Sequence, residues 1–537
     1  MVKKTLILSL LLLTAMVGSA VAYDLPELYT SIQVNPGLRG DVLIGYLYDV
    51  RDLDGVSQKT LINIVNTDPN YGMVARMRFR EYKRSKECLD FHIPFSKGDV
   101  WSAELYQCKS GPGAGRAFIF SNDWNTIDIA DTASTWPLRT DLNNADPVLP
   151  CDASEPNGGL GVPFSTGGME PGGANIARCL YGYYELIGEE RVSGDFNLSA
   201  LTVNRLNNTW PCGPGFTGLT PCGMDAQNSL FAETWLVRVE DGTAQQYQDV
   251  AISNFAVDPD GIKANVTASV RPNLQTDAQG QGGNDGFGGF EQLESVLSKR
   301  YVFAQYWNDT NFGAKTSVVF TFPTKWAHFN ASFQNTSNPF KGPYETKQET
   351  NTDPFLFVVR DREEHLLTAP PSDVIFSPFQ SGQAQVPMWP FEVNIVGIYD
   401  HAVSFQGTPP HSVISDGNIF RDNYAIGTYL EAGSIFTAGW VNFDLSPNNN
   451  NVPDPVSGTP GLPTTYPYGE QGTSATNLFN FWFQPASADN IAGYRGLPVL
   501  GGVLTEVTYP SVPALNYRTI VPWASAVHWP WSAAGAP

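Results

Sequence analysis

Three arginines spaced two residues apart, Arg76, Arg78 and Arg80, are followed at the same period by Asp90 and His92. Alternate residues of a strand share a face. A strand over 73–82 therefore puts the arginines on one face and Ala75, Met77 and Phe79 on the other. A second strand over 87–95 puts Cys88, Asp90 and His92 opposite Leu89, Phe91 and Ile93. A hairpin turning at 83–85 would set Arg78 across from Asp90 and Arg76 across from His92. We expect such a face to be a solvated, ion-paired sheet surface. The sharper alternative is an anion site made of guanidinium donors.

Carboxylates supply the other candidates. Asp49, Asp52 and Asp54 cluster before Gly55, and hard cations take several oxygen ligands from such loops, so calcium is the metal they would hold. Asp258-Pro259-Asp260-Gly261 is a second stretch of this kind. Neither carries the terminal Glu of an EF-hand, and turn chemistry accounts for Asp-Gly equally well. Asp361-Arg362-Glu363-Glu364-His365 is the densest ionisable cluster. Glu363 and Glu364 would point to opposite faces of a strand, so they cannot simply be the facing acid pair of a glycosidase. The reading is an ion-paired turn at a strand end. The chain has no Gly-x-Ser-x-Gly, no phosphate-binding Gly-rich loop and no His-Glu-x-x-His. Its histidines (His92, His328, His365, His401, His411, His528) are scattered. Tryptophans including Trp307, Trp389, Trp440, Trp529 and Trp531 would stack on sugars if exposed, although in a β protein most belong to the core.

The elements that must position these residues are strands. Period-two patterns occur at 42–49, 60–66, 73–82, 87–95 and 100–107, and again at 177–190, 232–240 and 247–255. Residues 121–176 form a long excursion rich in Asp, Asn, Gly and Pro. The glycines of 272–289 mark a linker or loop. A helix is expected at 290–299, with Leu293, Val296 and Leu297 on one side. Strands follow at 301–307, 317–322, 354–359, 391–399, 425–431, 435–443, 478–483 and 499–509. Many short strands between turns predict an all-β fold of two packed β-sandwich units, immunoglobulin-like or jelly-roll, with long Gly/Pro/Asn-rich loops. The units would be 23–271 and 290–537.

Composition agrees and narrows the setting. The 537 residues include 50 Gly and 40 Pro, too many interruptions for long helices. Hydrophobic residues make up 42%, which rules out a disordered acidic tail. A net charge of −21 with no basic run excludes nucleic acid as a partner. Lys3 and Lys4, the apolar run 6–17 and Ala20-Val21-Ala22 read as a secretory signal over 1–22, with the mature chain starting at Tyr23. No later stretch is long and apolar enough to span a membrane as a helix, so an exported soluble protein is expected. Six cysteines (Cys88, Cys108, Cys151, Cys179, Cys212, Cys222) suit an oxidising compartment and three disulfides. Sequential pairing is the expectation, with Cys212–Cys222 the most local bridge.

Several segments, taken in order, resemble a family of uncharacterised exported proteins of Gram-negative bacteria. They are Thr60-Leu61-Ile62-Asn63-Ile64-Val65-Asn66-Thr67, Arg78-Phe79-Arg80-Glu81, Leu89-Asp90-Phe91 with Asp99-Val100-Trp101, and Gly182-Tyr183-Tyr184-Glu185. Phe320-Thr321-Phe322-Pro323-Thr324-Lys325, Asp361-Arg362-Glu363-Glu364, Gly439-Trp440 and Gly496-Leu497-Pro498-Val499 complete the set. The resemblance implies export and a β-rich fold, and no activity.

These readings favour a non-enzymatic structural or adhesive protein of the cell surface or periplasm, partnered by itself, by other surface proteins or by glycans. Self-assembly would pair the segment 23–40 or the Trp-rich tail with a neighbour's sheet edge. A secreted protein that binds or cleaves carbohydrate is the rival.

Overall fold

The computed structural model describes residues 33–53, 56–121, 126–127, 135–136, 151–164, 176–193, 228–238, 240, 242–255, 293, 296–299, 301–309, 314–325, 353–354, 356–362, 375–376, 388–389, 391–400, 424–428, 437–445, 497–507, 517–522 and 524–525. The strands of the first half are β1 (Gln33–Val34), β2 (Val42–Asp49), β3 (Asp52–Leu53), β4 (Val56–Asn66), β5 (Tyr71–Glu81), β6 (Glu87–Phe95), β7 (Val100–Gln107) and β8 (Ala117–Phe120). They continue with β9 (Thr126–Ile127), β10 (Thr135–Trp136), β11 (Val162–Pro163), β12 (Tyr181–Ser193), β13 (Leu230–Arg238), β14 (Thr243–Gln248) and β15 (Val250–Ser253). The fold is all-β, as the period-two patterns require, and β2, β6 and β7 carry the bounds expected for them.

Two sheets pack face to face. One runs β1-β15-β2-β12-β5-β6-β9-β10 and the other β11-β8-β7-β4-β13-β14, with β3 beside β4. In the second sheet burial alternates along β13 and β14, so one face meets the core and the other meets water. The first sheet behaves differently. All eight residues of β2 are buried, and so is β12 from Tyr181 through Ile187. The cover comes in part from the second half of the chain, whose Val319, Val393, Ile395, Leu500, Leu504 and Ile520 join the same core as Leu43, Phe79 and Tyr184. The second half also has two sheets, one of four strands and one of six, around a core that includes Val302, Val318, Phe320, Val441 and Phe443. Two sandwiches therefore meet across a buried layer.

Four expectations change here. The helix at 290–299 is helical at Leu293, Val296 and Leu297, but 298–299 already pair as a strand with Leu497–Pro498. The excursion 121–176 is not wholly irregular: β9 extends the first sheet beside β6, and Val162–Pro163 pairs with β8. Part of the segment proposed to reach a neighbour is used within the chain, since Gln33 and Val34 pair with Ser253 and Ile252. The first four cysteines are not joined in sequence order. They nest, as Cys88–Cys179 and Cys108–Cys151. Sheet topology decides this, because Cys88 on β6 faces the 3-10 turn Ile176–Leu180 that leads into β12, two strands away. Cys212, Cys222, the signal expected at 1–22, the linker 272–289 and the strand at 478–483 lie outside the described residues. Among the described residues, no helix is long and apolar enough to cross a membrane.

Candidate functional site

The hairpin of β5 and β6 sets Arg76 opposite His92 and Arg78 opposite Asp90. β12 lies on the other side of β5 and places Glu185 opposite Arg78 and Tyr183 opposite Arg80. The expected ion pairs form, but the face is not solvated. Arg76 and His92 are fully buried, and Arg78, Arg80 and Asp90 are 3–6% exposed. Water is excluded because the strands of both halves close over this sheet, which no pattern local to the hairpin encodes. Each arginine meets a carboxylate rather than a free anion. Arg80 grips Glu185 through Nε at 3.3 Å and Nη2 at 3.2 Å. Arg76 binds Asp90, and Arg78 reaches both Glu87 and Asp90, the latter at 3.3 Å. Arg76 also lies 2.7 Å from Nδ1 of His92. A guanidinium only donates, so Nδ1 accepts and the imidazole is held in the tautomer with its proton on Nε2. Burial and the neighbouring Arg80 lower the pKa of Arg78, against the pull of Glu87 and Asp90.

The β5–β6 turn then becomes the junction of the two halves. Glu81 is fully buried and accepts from the backbone N–H groups of Lys83 at 2.7 Å, Arg84 at 2.8 Å and Lys86 at 3.3 Å, and from Arg178 Nε at 3.1 Å. This fixes the turn and lets Ser85 take a positive φ of 51°. The Tyr82 carbonyl accepts the N–H groups of Glu392 and Val393 at 3.0 and 2.9 Å. The Tyr183 hydroxyl donates to the Pro323 carbonyl at 3.1 Å and accepts from Ser85 Oγ at 2.8 Å. The Tyr82 ring stacks on Tyr181 at 4.2 Å and meets Phe391 edge-on at 5.2 Å. Glu392 is fully buried, and neither carboxylate oxygen has a hydrogen-bond partner among the described residues. Burial holds its carboxyl well above the ordinary range, opposed by Lys325.

Of the carboxylates proposed for calcium, Asp49 is fully buried and clasps Arg51 through Oδ1 at 2.9 Å and Oδ2 at 2.7 Å. Arg51 in turn lies 4.0 Å from the Tyr181 ring centre. Asp52 pairs with Lys109 at 2.7 Å. Asp54 lies outside the described residues, as do Asp258–Gly261 and Glu363–His365. No group of three metal-ligating side chains stands together among the described residues. Asp361 is buried at the end of the strand Leu356–Asp361. Trp389 is fully buried against Phe320, with ring centres 4.6 Å apart, while Trp307 and Trp440 are half-buried. Trp529 and Trp531 lie outside the described residues.

Two further groups had no signal in the sequence. Asp249, between β14 and β15, is fully shielded and accepts from Tyr184 of one sheet and from Thr234 of the other, the latter at 2.9 Å. Desolvation raises its pKa to about 7, against these two hydrogen bonds. The second group is a cleft of about 220 Å³, whose lining includes Asp52, Lys59, Lys109, Glu155 and Glu240 beside Tyr106. Of these the sequence singled out Asp52 alone, as a calcium ligand, and only folding brings Lys109, Glu155 and Glu240 to it.

The chain matches no protein-family model, no curated protein and no solved structure. The resemblance to exported β-rich proteins therefore stands on the sequence segments alone. Four of those segments, containing Arg80, Asp90, Tyr183 and Pro323, converge at the buried junction.

Proposed function

We propose that this protein is an exported, non-enzymatic structural or adhesive component of the cell surface or periplasm, and that it self-assembles. The observation that supports this most is where its ionisable residues go. The arginines, acids and histidine most able to do chemistry are paired with one another inside a layer between two sandwiches, where they fix geometry rather than meet a substrate. The Cys88–Cys179 disulfide braces the same hairpin and Cys108–Cys151 a loop of the first sandwich, a pattern suited to an oxidising compartment. The test is the mass of the purified protein by light scattering with and without calcium, with electron microscopy of the same samples. Ordered polymers are the expected result. A strictly monomeric particle under every condition would overturn the assembling role.

A further inference from the structure

The cleft of the first sandwich has the makings of a recognition site. Its floor is β3 and β4, and its rim is built from Lys109, the 3-10 turn Pro156–Gly159 and Glu240, just beyond β13. The rim is braced covalently, because the Cys108–Cys151 disulfide ties the segment carrying Lys109 to the segment leading to Glu155. A cleft walled by strands and a cross-linked loop is held ready rather than assembled on binding, which lowers the ordering cost of a ligand.

Its side chains are anchored yet incompletely used. Lys109 holds Asp52 Oδ2 at 2.7 Å, while Asp52 Oδ1 is shielded from water with no hydrogen-bond partner among the described residues. Glu155 accepts from Ser110 Oγ at 2.7 Å, and Glu240 accepts from the Ser57 N–H at 2.9 Å. A carboxylate has capacity for about four hydrogen bonds and an ammonium for three. Each of these groups is therefore oriented by one partner and keeps positions for another.

Charge and size then select the ligand. Three carboxylates beside two ammonium groups disfavour both a polyanion and a bare hydrophobe. At roughly 30 Å³ per water, the volume corresponds to about seven waters. That is below the usual 300–1,000 Å³ of drug-sized or cofactor pockets, and the charged groups stand among Val50, Tyr106 and Pro156. Closely spaced fixed donors and acceptors match a small ligand whose groups both donate and accept, which is what vicinal hydroxyls do. We propose that this cleft binds a single neutral sugar residue through Asp52, Lys109, Glu155 and Glu240. The proposal deepens the adhesive reading above and rests on it, naming the partner as a glycan.

The test is titration of the purified protein with neutral hexoses and N-acetylhexosamines, followed by ligand-observed NMR and calorimetry. Binding of at least one sugar with a Kd on the order of 1 mM is expected from a few charge-assisted hydrogen bonds. Asp52→Asn and Lys109→Ala should each weaken it about tenfold, with the thermal midpoint held near the parent's, because both side chains sit at a half-exposed rim. No binding of any sugar by the folded parent, or binding that neither variant changes, would overturn the proposal. So would calcium binding that Asp52→Asn abolishes while sugars have no effect, since the cleft would then be a cation site. Polymers in the light-scattering experiment without sugar binding would remove this proposal alone and leave the structural role in place.

Discussion

Arg80 and Glu185 show what a buried charge does when its partner is fixed. Both are out of water, the guanidinium is matched by two hydrogen bonds, and removing Glu185 leaves it desolvated with the Glu87 carboxylate no nearer than 3.8 Å. Glu185→Gln should therefore cost about 3–5 kcal/mol in urea denaturation. Arg80→Met combined with Glu185→Leu should cost less than the sum of the two single changes, because neither charge is then orphaned. Asp249 behaves in the opposite sense. Its carboxyl titrates at about 7 in the folded protein and near the ordinary ~3.9 when unfolded. The folded state keeps the proton to higher pH, so this group's stabilisation is complete below about pH 4 and is lost as pH rises through about 7. Asp249→Asn, which never ionises, should exceed the parent in stability at pH 8 by roughly 2–4 kcal/mol and match it near pH 4. Denaturation curves across that range would check both the sign and the window.

At the scale of elements, the β5–β6 hairpin was legible because its information is local. Period-two alternation and a short turn fix which residues face which, and Arg76 opposite His92 and Arg78 opposite Asp90 follow from spacing alone. What covers that face was not legible. Pro323 and Glu392, which bond to Tyr183 and Tyr82, lie 140 and more than 300 residues away along the chain. The cleft around Asp52 was hidden for the same reason, since Glu155 and Glu240 reach it only through loops. Another element-level constraint is at Gly182, where β12 shifts register against β2 while it pairs with β5. A Cβ there would lie 1.9 Å from the Arg80 carbonyl oxygen, so the ladder itself would have to move. Gly182→Ala should lower stability by about 1–3 kcal/mol or more, read as a fall in the thermal midpoint.

At the scale of the whole molecule, the sequence divides more readily than the structure does. The glycines of 272–289 suggest two independent units, yet Val319, Val393 and Leu504 complete a core begun by Leu43 and Phe79. Hydrogen bonds through Tyr82, Tyr183 and Thr321, which donates to the Tyr46 carbonyl at 2.6 Å, stitch the halves further. Calorimetry should accordingly show one cooperative transition with matching calorimetric and van't Hoff enthalpies. Two separated transitions would show that the halves fold independently. The cross-links act on the same scale, closing loops of 91 and 43 residues. Replacing Cys88 and Cys179 with alanine should cost about 4–5 kcal/mol by chain entropy, and replacing the inner pair about 4 kcal/mol.

The nesting of those bridges also bears on how the protein is made. A chain delivered amino terminus first offers Cys88 and Cys108 to an oxidant well before Cys151 and Cys179 arrive. Joining neighbours as they emerge would trap Cys88 with Cys108, although the native partner of each lies further on. Cys88 must stay reduced until 91 more residues have been made, or be rescued by thiol exchange. Thiol exchange thus bears on the yield of this topology, and the correctly linked form should accumulate poorly where thiols are oxidised but not reshuffled.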